Sequence, residues 1–162
     1  MQKSIIELKN KGFDDDLGLP IANSLECSDK NLEEKSVGNF VADMFDLERV
    51  EIAKSELKDI VFQNGFLFEV KIIDSSIFNL RFLGSSLNNC ELENCRINMV
   101  LDGATLEDVI FRNCEIDCFS VRSSVYHGRS ILENVTFTKC RIGGLSIGDG
   151  VVLQNCDIPG FV

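Results

Sequence analysis

Seven cysteines and a single histidine are the residues of this 162-residue chain whose types first suggest chemistry. Thiolates and imidazole bind zinc, thiols pair as disulfides, and a thiol beside an imidazole makes a nucleophile. The spacing supports none of these readings. No Cys-x-x-Cys occurs, and His127 has no second histidine with which to build a zinc set. The acids Glu91, Glu93, Glu107, Asp108, Glu115 and Asp117 would need a cleft to act as a general acid and base, and no glycine-rich phosphate loop or nucleophile elbow accompanies them. Catalytic residues, a cofactor and a bound metal are therefore not expected.

What positions these residues is a period of five. From Leu47 every fifth residue is large and apolar: Leu47, Ile52, Leu57, Phe62, Leu67, Ile72, Ile77, Phe82, Leu87, Leu92, Ile97. Neither the 3.6-residue period of a helix nor the two-residue period of a strand produces this run. Two residues before each centre stands a smaller one, among them Ser55, Gly65, Ser75, Ser85, Cys90, Cys95, Cys114, Cys140 and Cys156. Residues two apart in an extended segment point the same way, so both face inward. The frame shortens by one near Asn98, continues through Leu101, Leu106, Phe111, Ile116 and Val121, and lengthens by one after Tyr126 to reach Leu132, Phe137, Ile142 and Ile147. Another six-residue step at Gly148-Asp149-Gly150 leads to Leu153 and Ile158.

Units such as Ser85-Ser86-Leu87-Asn88-Asn89 and Cys90-Glu91-Leu92-Glu93-Asn94 resemble those of the pentapeptide-repeat family, over about 120 residues from Phe40 to Ile158. The resemblance implies an all-β fold, a right-handed quadrilateral β-helix of about six coils, with four pentapeptides per coil. Residues about twenty apart should then stack. Counting through Tyr126 as a centre gives a small column Ser55, Ser75, Cys95, Cys114, Val135, Cys156 and a larger one Phe40, Ile60, Leu80, Met99, Phe119, Cys140. The other two run Val50, Val70, Cys90, Val109, Ser130, Val151 and Phe45, Gly65, Ser85, Ala104, Ser124, Leu145. Asparagines before the small residues, as in Asn89, Asn94, Asn113, Asn134 and Asn155, suit left-handed corners and an amide ladder. Cys95 and Cys114 stack closely enough for a disulfide, but an odd number of cysteines in a cytosolic chain favours reduced packing thiols. Cys118 lies outside the inward set, at a corner, and Cys27 lies in the N-terminal arm; either is a candidate exposed thiol, with no catalytic base nearby.

Residues 1–38 do not keep the beat and are expected to form an N-terminal capping arm, with short helices over Ser4–Lys9 and Ser28–Lys35, while residues 39–162 form the β-helix. Phe68, Ile73, Phe78 and Leu83, just after four successive centres, and Phe66 beside them, predict an outward apolar collar. Cover by the arm, a homodimer contact or a contact with another protein, and a local misregister of the repeat are all open for it. The apolar end Pro159–Val162 is a second place for dimerisation or for a lid. Around the frame change, Tyr126, His127 and Arg129 predict a small outward bulge and join the collar as the candidate protein-contact surface.

Twenty-six acids against 16 bases leave a formal charge of −10. That sign disfavours direct nucleic-acid binding and attraction to anionic membranes, and no apolar run is long enough to span one. The composition predicts a cytoplasmic, non-catalytic scaffold for a protein partner whose identity the residues do not specify. The family resemblance adds an alternative, a DNA-mimicking modulator or protector of a type II topoisomerase, DNA gyrase. Three features argue against it at this level: Arg81, Arg96, Arg112, Arg122, Arg129 and Arg141 interrupt the acidic surface; the insertions look only one residue long, without the projecting loops that the resemblance associates with that role; and the end of the sequence shows no helical pattern, where the resemblance implies a C-terminal helix that joins dimers.

Overall fold

A computed structural model describes residues 13–14, 19–23 and 26–159, with side chains from residue 26 onward. Three parallel sheets wind around a single core. Sheet 1 contains the long strands Ser36–Asp43, Glu56–Gln63, Ser76–Leu83, Arg96–Asp102 and Glu115–Arg122. Sheet 2 is seven-stranded and runs from Glu26–Ser28 through Asp46–Glu48, Phe66–Phe68, Ser86–Asn88, Thr105–Glu107 and Ile131–Glu133 to Val152–Gln154. Sheet 3 is six-stranded, from Asn31–Glu33 to Thr136–Thr138. Four faces give three sheets because two successive faces run on as one eight-residue strand, bent in its middle at Asn39, Asp59 or Asn79.

The five-residue unit follows from what each residue must do. Its centre points inward and stacks on the centre one coil away, as Leu47 does on Leu67 and Ile52 on Ile72. Two residues after the centre the backbone turns left-handed, at Asn64, Glu69, Asp74, Asn79, Asn89 and Asn94 among others, with φ between 52° and 55°. Such a conformation costs an ordinary L-residue roughly 1–2 kcal/mol, and Asn and Asp least. The corner amides then form the expected ladder. Asn64 Nδ2 donates to Asp43 Oδ1 at 3.0 Å, Asn79 to Asp59 at 2.8 Å, Asn94 to Asp74 at 3.0 Å and Asn134 to Asp108 at 3.0 Å.

Inside, aromatic rings fill the larger spaces. Phe62 stacks on Phe82 at 5.3 Å and takes the edge of Phe45 at 4.9 Å; Phe111 stacks on Phe137 at 4.5 Å, with Phe119 edge-on to both. Gly65 leaves the room that Phe45 occupies, since a Cβ there would stand 2.6 Å from the Phe45 ring. A gap of about 10 Å³ among Leu67, Ile72, Phe82, Leu92 and Met99 is too small and too apolar to hold a substrate.

The coils begin earlier than residue 39. Cys27 stacks on Leu47 and Leu32 on Ile52, so Ser28–Lys35 is corner, strand and corner rather than a helix, and Cys27 is buried rather than exposed. The beat was hidden because Lys30 and Lys35, both exposed, stand where later units carry a small inward residue. Leu19–Asn23 pairs with the strand Ser36–Asp43, and Phe13–Asp14 returns antiparallel onto it, so the described part of the arm extends sheet 1. The helix expected over Ser4–Lys9 and the last residues, 160–162, lie outside the described residues. Among the described residues no helix is long and apolar enough to cross a membrane.

The largest difference falls at Tyr126. Leu101 pairs with Val121 and the next centre, Leu106, pairs with Leu132, so all the residues between Val121 and Leu132 belong to one corner. Tyr126 is no centre and the insertion is not one residue long; it is a six-residue addition to an ordinary corner. Every later column therefore moves by one face. Cys114 stacks on Cys140, Phe119 on Leu145, Val109 on Val135 and Ala104 on Ser130. The shortened step at Asn98 and the lengthened one before Leu153 stand as expected.

The corrected small column Ser55, Ser75, Cys95, Cys114, Cys140 has no space for a ring. Cys114→Phe is expected to destabilise the fold by at least about 3 kcal/mol, the upper end of the cost of overpacking. Thermal unfolding reads this directly, and an unchanged Tm would overturn the column.

Candidate protein-contact surface

The thiols are placed as packing groups. In the inward small position serine and cysteine do the same thing: each donates to the carbonyl two residues earlier. Ser75 Oγ reaches Ile73 O at 2.8 Å, Cys95 Sγ reaches Glu93 O at 3.2 Å and Cys114 Sγ reaches Arg112 O at 3.3 Å. Burial pushes the Cys90 thiol up to about 11 and raises Cys27 and Cys140 as well; in the Cys95–Cys114 pair the hydrogen bond between the two raises Cys114 and lowers Cys95, so one of the two thiols keeps its proton. A thiol held protonated is a poor nucleophile and a poor metal ligand. All seven cysteines are free, and among the described residues no three His, Cys, Asp or Glu side chains converge to hold a metal ion. Cys118 lies half-buried beside the irregular register at Asn98.

The lengthened corner is a built hairpin. Ser124 N donates to Gly128 O at 3.0 Å, Gly128 N returns to Ser124 O at 2.8 Å, and His127 N donates to Ser124 Oγ at 3.1 Å. Its base is closed by Ser130, whose Oγ donates to Arg122 O at 2.6 Å and accepts from Ala104 N at 3.0 Å. The hairpin folds back over the corner between sheets 1 and 2. Gly84 and Gly103 stand there in left-handed conformation, φ 56° and 61°; a Cβ on Gly103 would collide with the main chain of His127, and one on Gly84 would stand 3.8 Å from His127 Nδ1. His127 is thus half-buried against the rod, whereas Val125 and Tyr126 are 94% and 89% exposed and Arg129 is exposed. Beside this seat the carboxylate of Asp102 is buried, with Oδ2 accepting from Arg122 Nε at 3.0 Å and Oδ1 without a partner.

The collar does not form one patch. Phe66 and Phe68 lie on sheet 2, Ile73 on sheet 3, and Phe78 and Leu83 on sheet 1. Phe68, Ile73 and Leu83 are half-buried, leaving Phe66 at 42% and Phe78 at 53% as the exposed aromatics. Met44, 63% exposed at a corner next to sheet 2, was missed, because corner positions were read as polar.

Charge is divided by face in a way that the linear order conceals. The strands of sheet 2 carry Glu26, Asp46, Glu48, Glu107 and Glu133 and no lysine or arginine; the corner Arg49 beside them is taken by Asp29 at 2.6 Å and Glu48 at 3.1 Å. Arg81, Arg96, Arg112, Arg122 and Arg141 lie on sheets 1 and 3. Burial, then the neighbouring Glu48 and Glu26, raise the Asp46 carboxyl above its usual range, as a one-signed surface requires.

Five residues per face, an inward pair on each, a left-handed corner two residues after the centre, and four faces per coil of about twenty residues define one architecture. The chain folds as a pentapeptide-repeat solenoid. No protein-family model matches its sequence, and no curated protein matches it. Among solved structures it is similar to a pentapeptide repeat protein, Rfr23, from the cyanobacterium Cyanothece 51142, at 15% identity over 82% of this chain and 90% of that one, with a TM-score of 0.42. A putative glycosyl hydrolase from Parabacteroides merdae matches at 11% identity over 80% and 82% of the two chains, TM-score 0.22. QnrB1, a plasmid-mediated fluoroquinolone resistance protein, matches at 13% identity over 83% and 94%, TM-score 0.22. At these values the likenesses carry no argument, and the solenoid's function must be argued from its own surface.

Gly103→Ala is expected to unseat the hairpin. The left-handed backbone alone costs roughly 1–2 kcal/mol with a Cβ present, and the collision with His127 adds to it. Chymotrypsin should then cut after Tyr126 faster than in the unchanged protein; equal cleavage would mean that the hairpin does not rest on that corner.

Proposed function

We propose that this solenoid is a non-catalytic cytoplasmic scaffold that binds another protein through sheet 2 and the hairpin at its border. The observation that carries the reading is the hairpin itself. Gly103 clears a corner so that the hairpin can rest on the rod beside Gly84, yet its tip leaves Val125 and Tyr126 in solvent. Exposed aromatic and aliphatic groups on a pre-ordered loop are what a binding surface needs, because little side-chain or backbone freedom is lost on contact. Phe66 continues this apolar surface onto sheet 2. Paired Val125→Ser and Tyr126→Ser changes should abolish capture of the partner in a pull-down while leaving Tm within about 1 °C, since surface substitutions of this kind rarely alter stability. Capture that survives both changes would sink the proposal.

A second reading is supported by the acidic sheet. Two of the features that argued against polyanion mimicry weaken, because five of the six arginines fall on other faces, Arg129 alone staying on the hairpin, and the insertion becomes a projecting hairpin. Sheet 2 then carries its acids in two groups, Glu26, Asp46 and Glu48 toward one end and Glu107 and Glu133 toward the other, with the uncharged strands Phe66–Phe68 and Ser86–Asn88 between them. Such charge would compete with duplex DNA for a basic groove, as in a modulator of a type II topoisomerase. A gyrase supercoiling assay with and without a quinolone, at two salt concentrations, tests it: salt-sensitive inhibition or protection that is lost in Glu107→Lys with Glu133→Lys is the expected result, and inactivity at both salts removes this reading.

A further inference from the structure

Phe78 stands apart from the surface just described, on the first half of the long-strand sheet, where it forms the apolar floor of a shallow hollow of about 450 Å³. Around it are Glu56, Lys58, Ser76, Arg96 and Asp117. Lys58 Nζ lies 5.9 Å from the centre of the Phe78 ring, and Arg96 is held by Asp117 at 2.8 Å. Unlike sheet 2, this hollow is balanced, with two acids against two bases.

The order of those charges along the rod is informative. Glu56, Ser76 and Arg96 are the same outward position on three successive coils, and Lys58 precedes Phe78 in the neighbouring column. A two-fold axis lying in the face along the strand Ser76–Leu83 exchanges the coil below with the coil above. It therefore sets Glu56 of one copy against Arg96 of the other, repeats the pair by symmetry, and lays Phe78 on Phe78. Lys58 comes opposite the side of the hollow that Asp117 enters. The Arg96 side chain is 67% exposed; a guanidinium has five N–H groups, so the bond to Asp117 leaves donors for a carboxylate from across the axis. From this self-complementarity we propose that two copies of the chain associate laterally and antiparallel through the Phe78 face. The occupant is a second copy because the same residues supply both halves of each charge pair, which a two-fold interface demands and which a partner of one charge sign would not match. A neutral face is also where two chains of net charge −10 can approach at least cost. One flat side of a narrow rod lies at the small end of specific interfaces, so the dimer should be of micromolar strength.

Sedimentation equilibrium of the full chain tests the proposal, which does not depend on the identity of any other partner. The unchanged protein should dimerise by about 100 µM. Glu56→Arg alone and Arg96→Glu alone should each weaken the dimer at least about tenfold, because each puts two like-charged pairs across the axis. The double variant carrying both changes should restore it. General charge repulsion predicts the opposite for Glu56→Arg, which lowers the net charge and would favour association. As a second measurement, Phe78→Cys should give a disulfide-linked dimer under mild oxidation that the unchanged protein does not form. A monomer at all concentrations, a double variant no better than the singles, or no additional cross-link at position 78 would each overturn the proposal.

Discussion

The parallel backbone ladder between coils is the interaction on which everything else in this protein depends. Once the main chain of one coil is hydrogen-bonded to the next, as Lys71 N is to Val50 O at 2.9 Å and Glu91 N to Val70 O at 3.0 Å, equivalent residues must lie directly over one another. Each inward residue then has a column rather than a neighbourhood. A large residue is admissible only where its column allows one, which is why Gly65 lies against Phe45 and why Phe119 can turn its edge to both Phe111 and Phe137. The ladder also assigns outward residues to columns, and so gathers charges that are far apart in the chain.

The same constraint explains a composition that first looks chemical. Serine and cysteine recur in one inward place because both are small and both can direct their donor to a carbonyl two residues earlier, as a second bond beside the ladder N–H it already accepts, so that no buried O–H or S–H goes unpaired. Asparagine and aspartate recur at corners because they bear the left-handed backbone and bond to one another along the rod. Neither set is arranged around a cavity. What distinguishes one part of the solenoid from another is therefore its outer surface: an acidic sheet, a balanced hollow around Phe78, and one hairpin seated on two glycines.

Legibility in the sequence follows the same division. The period, the inward pairs and the asparagine corners were all readable, because each is a local pattern repeated many times. The first coil was not, since the exposed Lys30 and Lys35 stand where later units carry a small inward residue. The hairpin was misread for a different reason. Eleven residues from Val121 to Leu132 can be divided into one five-residue and one six-residue step, or left as a single long corner, and Tyr126 is apolar enough to pass as a centre. The columns held the signal that decides it: the first division puts Cys140 under Phe119 and Leu145 among small residues, whereas the second puts Cys140 under Cys114 and Leu145 under Phe119, which sorts better by size.

By itself, then, the sequence determined the solenoid, its five-residue face and the structural role of its thiols, because those depend on residues only two or five apart. Tertiary structure decided where the first coil starts, that the insertion is a hairpin resting on the corner at Gly84 and Gly103, and which face each charge joins. These depend on which residues lie one coil away. A single change in the length of one corner moves every later residue to a new neighbour while leaving the local pattern intact.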